Sequence, residues 1–288
     1  MPELFIAHRT TYSYRFPVQL SPYRLLLRPR EEPHLLLQNY HITVSPEGRI
    51  AWTTDVFGNA VATVTVSELT QQLEIISNME VDLTSEPWPV FDIAASAASY
   101  PFIYDERDWK DLGALTVPQH PDPSGEFQRW ITGFVMENPT DTLSLLKDLS
   151  AGVSSHVAYQ AREAEGTQPP LETLALRSGS CRDIATLFVE GVRVLGIGAR
   201  AVSGYLYDPA RSLLGSSGAG STHAWVDVFV PGAGWIAFDP TNRTMGGSNL
   251  IPVAVARDIT QAMPVSGGFV GPANAFLSMD VAVDISEK

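Results

Sequence analysis

The sequence predicts an α+β fold in two parts: a β-sandwich-like N-terminal domain, then a helical core that closes with strands. Three observations predict it. Partly alternating apolar and β-branched runs, broken by turn residues, fill the start of the chain; helical apolar spacing takes over after Gly125; strand patterning returns at Ala199. The expected boundaries are 1–85 for the N-terminal domain, 86–125 for a crossover segment, and 126–288 for the core with its C-terminal strands.

In the first part, Thr11 to Phe16, Leu35 to Val44, Val61 to Val66 and Leu73 to Leu83 read as strands. Ser45-Pro46-Glu47-Gly48 and Phe57-Gly58-Asn59 supply turns between them. Short strands without a long helix indicate a sandwich. The crossover is punctuated by prolines from Pro87 to Pro123 and keeps no period, so it is expected to pack on the surface with one short helix. Glu126 to Met136 and Thr142 to Val157 then show helical spacing, and Leu171 to Leu176 forms a short helix.

The clearest helix follows. Ile184, Leu187, Phe188, Val192 and Leu195 make one continuous apolar stripe, ended by Gly196 and Gly198. Cys181, the only cysteine, stands at the N-terminal end of that inward face, after the small-residue turn Ser178-Gly179-Ser180. Free N–H groups and the helix dipole favour an anion there, which activates a thiol and helps hold an oxyanion. Arg182 and Asp183 belong to the helix start, where the acid complements the dipole and the arginine does not.

Ala199 to Tyr207 reads as a strand, and Asp208 to Gly220 as a Gly/Ser-rich loop. His223 to Val230 and Trp235 to Thr241 flank Pro231-Gly232-Ala233-Gly234, the pattern of an antiparallel hairpin. Register decides its chemistry, because a one-residue slip moves a side chain to the opposite face. If Val230 faces Trp235, Asp239 falls among the valines. If Val230 faces Gly234, Ile236 and Phe238 join Val226 and Val228 in a purely apolar face. Asp239 then lies opposite Trp225 and diagonal to His223, at a backbone separation of roughly 7–8 Å that side chains can bridge. The binary pattern favours the second register. It assembles a thiol, an imidazole and a carboxylate, the parts of a cysteine nucleophile with an oriented base.

Bulk properties narrow the alternatives. A chain of 288 residues with 44% hydrophobic and 18% charged residues is an ordinary globular protein. Its net charge of −13 argues against nucleic acid and anionic lipid, and by long-range attraction favours a basic substrate. The start shows no signal-peptide pattern, and no run approaches the roughly 20 apolar residues of a membrane span, so a cytoplasmic location is expected. Zinc is disfavoured, since no second cysteine or neighbouring histidine completes a ligand set; no metal or cofactor is expected. His8, His34, His41, His120 and His156 follow no pattern. Trp225 and Trp235 read first as packing residues, with Trp225 on the histidine's face and able to shape the site.

Gly179-Ser180-Cys181-Arg182-Asp183, Val202-Ser203-Gly204-Tyr205, His223-Ala224-Trp225-Val226 and Phe238-Asp239-Pro240-Thr241-Asn242, in that order, resemble the bacterial transglutaminase-like superfamily, often described as cysteine proteases. The strands around Thr11 to Tyr14 and Asp55 to Asn59 are similar to the β-rich domain that often precedes this core. The resemblance implies a papain-like core with Cys181 as nucleophile, His223 as base and Asp239 as orienter. It also implies a second oxyanion donor, for which Tyr159 is the upstream candidate, and it sets Gly198 where relatives commonly carry proline. The expected function is acyl transfer from a peptide or protein amide through a Cys181 thioester. The thioester passes to water in a peptidase or amidase, the favoured outcome, or to an amine in a transglutaminase or amide synthase. A catalytically silent peptide-binding protein is the rival of a different class. Oligomeric state is left open.

Overall fold

The computed structural model describes residues 3–85, 89–162, 166–208 and 220–288. Most of the Gly/Ser-rich loop read from the sequence, 209–219, lies outside them, as does part of the proline-rich crossover.

The N-terminal part is built from two antiparallel sheets. In one, Glu3–Leu20 pairs with Thr70–Leu83, which pairs with Leu35–Ser45. In the other, the order is Val265–Ser266, Tyr23–Leu25, Ala60–Thr65, Arg49–Thr54. Tyr14, Val18, Leu25, Val64, Leu73 and Ile75 share the core between them. The strands Tyr23–Leu25 and Arg49–Thr54 were not anticipated. Arg49–Thr54 buries no residue, so it lacks the apolar alternation that would mark it.

The C-terminal strand departs from the expected division. Phe276–Glu287 was placed with the core; instead it runs antiparallel along Glu3–Leu20, from Leu4 opposite Glu287 to Tyr14 opposite Phe276. The chain's two ends therefore close one sheet. The pairing partners lie almost the whole chain apart, and no local pattern could connect them.

The core has its own antiparallel sheet, ordered Thr244–Met245, Gly234–Asp239, Gly220–Val230, Ala199–Tyr207, Leu250–Ala256. Five helices accompany it among the described residues: α1 (Glu106–Leu112), α2 (Glu126–Thr132), α3 (Thr142–His156), α4 (Pro170–Leu176) and α5 (Cys181–Val194). None is long and apolar enough to cross a membrane. Gly196 ends the α5 region at φ +76°, and the Gly198 N–H donates to Tyr104 Oη at 3.0 Å, a bond proline could not make.

The predicted stripe of α5 is buried, and so is its opposite face. Glu190 and Arg193, which ordinary helix patterning assigns to solvent, form a 2.7 Å ion pair with side chains 1% exposed. Glu190 Oε2 accepts the N–H groups of Gln119 and His120, while Arg193 donates to the carbonyls of Leu115, Ala199 and Arg257. This charged knot fastens the crossover segment to the helix that carries the cysteine. Removing one member of a buried pair strands the other, so Arg193→Met is expected to destabilise the protein by about 3–5 kcal/mol. Urea denaturation measures it; a loss below about 1 kcal/mol would show the knot to be dispensable.

Candidate active site

Cys181 is the first residue of α5, so its N–H is not used within the helix. The turn before it is fixed by Asp183, which is fully buried. One carboxylate oxygen accepts the backbone N–H and hydroxyl of Ser180, both at 2.8 Å, and the other accepts the Gln168 N–H at 2.7 Å. Arg162 closes an ion pair on Asp183 at 2.9 Å. Gly179 is required here, because a Cβ on it would come within 2.8 Å of the Asp183 Cβ. The sulfur is thus presented by a clamped helix start rather than by a loose loop.

The hairpin adopts the register chosen by apolar burial. Val230 pairs with Gly234, Val228 with Ile236 and Val226 with Phe238. Gly234 takes φ +72°, the conformation that lets the short turn feed the ladder. His223 and Asp239 consequently share a face, and Nε2 of His223 lies 2.8 Å from Asp239 Oδ2. Asp239 is 1% exposed, and its other oxygen accepts the N–H groups of Thr241 and Asn242 at 3.0 and 3.2 Å. With Nε2 committed to the carboxylate, Nδ1 is the nitrogen left for the thiol of Cys181, which is the imidazole's other polar neighbour.

Burial is the largest single influence on His223 and pulls its pKa down. The hydrogen bonds and charges of Asp239 and Cys181 together outweigh it, and the value is raised to about 9. The ring is therefore cationic at neutral pH, poised to stabilise a thiolate and to give a proton to a leaving amine.

Two residues escaped the sequence reading. Asn242 donates from Nδ2 to Asp239 Oδ2 at 2.7 Å and so fixes the carboxylate. Its 3.3 Å approach to His223 Nε2 is a consequence of that bond, since a nitrogen donating to Asp239 cannot also accept. The Asp-Pro-Thr-Asn sequence carried this signal, because a side chain three residues past a turn aspartate can reach back to it. The other is His8, without pattern in the sequence, which is buried at the cleft with Nδ1 3.0 Å from Tyr205 Oη and Nε2 2.9 Å from Thr10 Oγ1. Burial lowers its pKa to about 4, so it faces the site uncharged.

The cleft over Cys181 encloses about 290 Å³. His223, Ala224 and Ser203 from the core sheet line it, and so do His8, Thr10 and Tyr12 of the first strand with Met279 and Val281 of the last. The N-terminal sheet is therefore a wall of the site. Tyr159 stands at the rim, 59% exposed, with its backbone paired to Gly179. Trp225 corrects the expectation of a substrate contact. It shares the histidine's face and stacks on its ring at 6.2 Å, but it is 2% exposed and does not line the cleft. The indole instead borders a separate cavity with Arg200, Asp227 and Trp235.

A thiol, imidazole and carboxylate brought together at a helix start and an antiparallel hairpin are the apparatus of a thiol-dependent enzyme. Residues 4–82 match the bacterial transglutaminase-like N-terminal region, and residues 130–240 match the transglutaminase-like superfamily. The chain thus carries a transglutaminase-like core with a β-rich region ahead of it. An uncharacterized protein of Mycobacterium tuberculosis is 28% identical to it over 97% of this chain and 91% of the relative. A Mycobacterium leprae protein, also uncharacterized, is 34% identical over 40% of each chain. A Cytophaga hutchinsonii protein described as a "putative cysteine protease" shares the fold, with a TM-score of 0.76 at 19% identity, across 100% of this chain and 91% of that one.

The raised pKa of His223 has a consequence for stability. A group whose folded pKa exceeds its unfolded value stabilises the fold fully below the unfolded value, 6.5, and ceases to as pH rises through about 9. Thermal unfolding between pH 6 and pH 10 is expected to show this decline in the wild type and a shallower one in His223→Ala. Parallel profiles would contradict the charged imidazole.

Proposed function

We infer that the protein cleaves amide bonds by acyl transfer through a thioester on Cys181. The observation that carries this reading is the buried 2.8 Å hydrogen bond between Asp239 and Nε2 of His223, on an imidazole that lines one cleft with Cys181. The Cys181 thiolate attacks the carbonyl carbon of a peptide or protein amide and forms a C–S bond. The oxyanion faces the free N–H at the start of α5, with the Tyr159 hydroxyl as the candidate second donor. As the C–N bond breaks, the His223 imidazolium protonates the departing amine. The neutral imidazole then takes a proton from water, whose oxygen attacks the thioester; the C–S bond breaks, the acid leaves and the thiol is restored. Asp239 holds the ring's orientation and stabilises its charged form throughout.

Water is favoured over an amine as second substrate. Cys181 is only partly buried, and Tyr159, Met279 and Val281 around it are each about half exposed, so the thioester is open to solvent. No metal or cofactor enters the scheme, and a cytoplasmic location, which keeps the lone thiol reduced, fits it.

Two measurements test this. Iodoacetamide is expected to alkylate Cys181 at neutral pH, and His223→Ala to slow that reaction by about tenfold or more. Mass spectrometry of the protein incubated with a peptide library should trap an acyl adduct on Cys181 that water discharges. Faster discharge by added amines would make transfer the reaction instead. Asp239→Asn should lower kcat by about 100-fold or more while the adduct site stays the same. A thiol that reacts no faster in the wild type than in His223→Ala, and that forms no adduct, would indicate a binding protein.

A further inference from the structure

The chain's net charge of −13 favours cationic ligands at long range, yet the cleft is lined in the opposite sense. Among the described residues lining it there are two arginines, Arg162 and Arg182, and no aspartate or glutamate. Arg162 is already paired with Asp183. Arg182 is not paired with any described carboxylate: its one hydrogen-bonding contact is Nη1 to the sulfur of Met263, at 3.4 Å. A cation one residue from a helix start opposes the helix dipole, and a thioether does little to compensate it. A half-buried guanidinium, next in sequence to the nucleophile and facing the cleft, is suited to a ligand carboxylate.

Beside the polar groups of the cleft runs an apolar stretch, part of which the last strand supplies. Met279 and Val281 pair across the ladder with Tyr12 and Thr10, so their side chains share the sheet face that looks onto the thiol. Met263 and Val265 continue this surface below them. Met279 is 52% and Val281 47% exposed, large apolar side chains that are half uncovered beside a reactive group.

Resting on the acyl-transfer reading, we propose that the substrate is an anionic, apolar peptide amide: an apolar side chain next to the scissile bond packs on Met279 and Val281, and a nearby carboxylate pairs with Arg182. The cavity of about 290 Å³ holds one or two side chains of an extended peptide, not a folded surface. Arg182 and the N-terminal sheet are then specificity determinants, and the β-rich domain serves recognition as well as support.

The test separates recognition from chemistry. Cys181→Ala, which cannot form a thioester, is titrated by calorimetry with four peptides that combine Leu or Ser before the amide with Glu or Gln beside it. The Leu–Glu peptide should bind at least about tenfold more tightly than the Ser–Gln peptide. Adding Arg182→Gln should erase only the Glu preference, and Met279→Asn only the Leu preference. Equal binding of all four peptides, or preferences that survive these substitutions, overturns the proposal. The chemistry is read separately in protein with Cys181 intact. If the preferred peptide binds but leaves no adduct, acyl transfer fails and the recognition site stands; if adducts form without either preference, the reverse holds.

Discussion

The register of one hairpin decides whether this protein has a catalytic site at all. With Val230 opposite Gly234, Val226, Val228, Ile236 and Phe238 all face α5, and each is 0–1% exposed. Slipping the ladder by one residue would turn the second strand's pair out of the core and Asp239 into it. Burying side chains of this size contributes about 1.5–3 kcal/mol each, so the slip costs several kcal/mol before the buried carboxylate is counted. A charged hydrogen bond such as His223–Asp239 adds only about 1.5–3 kcal/mol. Core packing fixes the register, and the site inherits its geometry from it. The opposite face, that of His223 and Trp225, explains Gly204: a Cβ there would collide with the Ile251 carbonyl oxygen and come within 2.7 Å of the Trp225 ring, so only glycine lets the strand beside His223 lie flat against its neighbour.

Asp183 exerts the second constraint, and it acts on two stretches of chain that line the cleft. By accepting from Ser180 and Gln168 and pairing with Arg162, it ties the start of α5 to the segment that precedes α4. The thiol's position and the placement of one of the two cleft cations therefore depend on a single buried carboxylate. Its negative charge is balanced by these partners.

What could be read from the sequence was local or paired over short range. The α5 stripe, the strand Ala199–Tyr207 and the hairpin register depend on spacing within a few dozen residues, and the structure places them as the pattern indicated. Glu190 and Arg193 escaped because each looks like a solvent-facing charge until the crossover segment covers them. His8 and Met279 escaped for a stronger reason. Their importance comes from lying on one sheet face beside a thiol far from both in sequence, and neither carries a motif. Trp225 shows the limit of face assignment: it shares the face of His223, as the pattern indicated, but the pattern did not tell that its indole borders another cavity.

The closing of the first sheet by the last strand also bears on how the two parts act together. Phe276–Glu287 is bonded on one side only, to Glu3–Leu20, and it carries Met279 and Val281 to the cleft. Cys181, His223 and Asp239 themselves stand on α5 and the core sheet, whose buried side chains share one apolar cluster with Leu4, Ile6 and Ile285 of the first and last strands. The apolar wall cannot exist until the first and last strands have paired, a contact that spans almost the whole chain and so forms late in folding. On the proposed reading, chemistry and recognition therefore sit on different elements. The thiol, imidazole and carboxylate come from residues 181 to 239, while the apolar surface beside them needs both the first and the last strand.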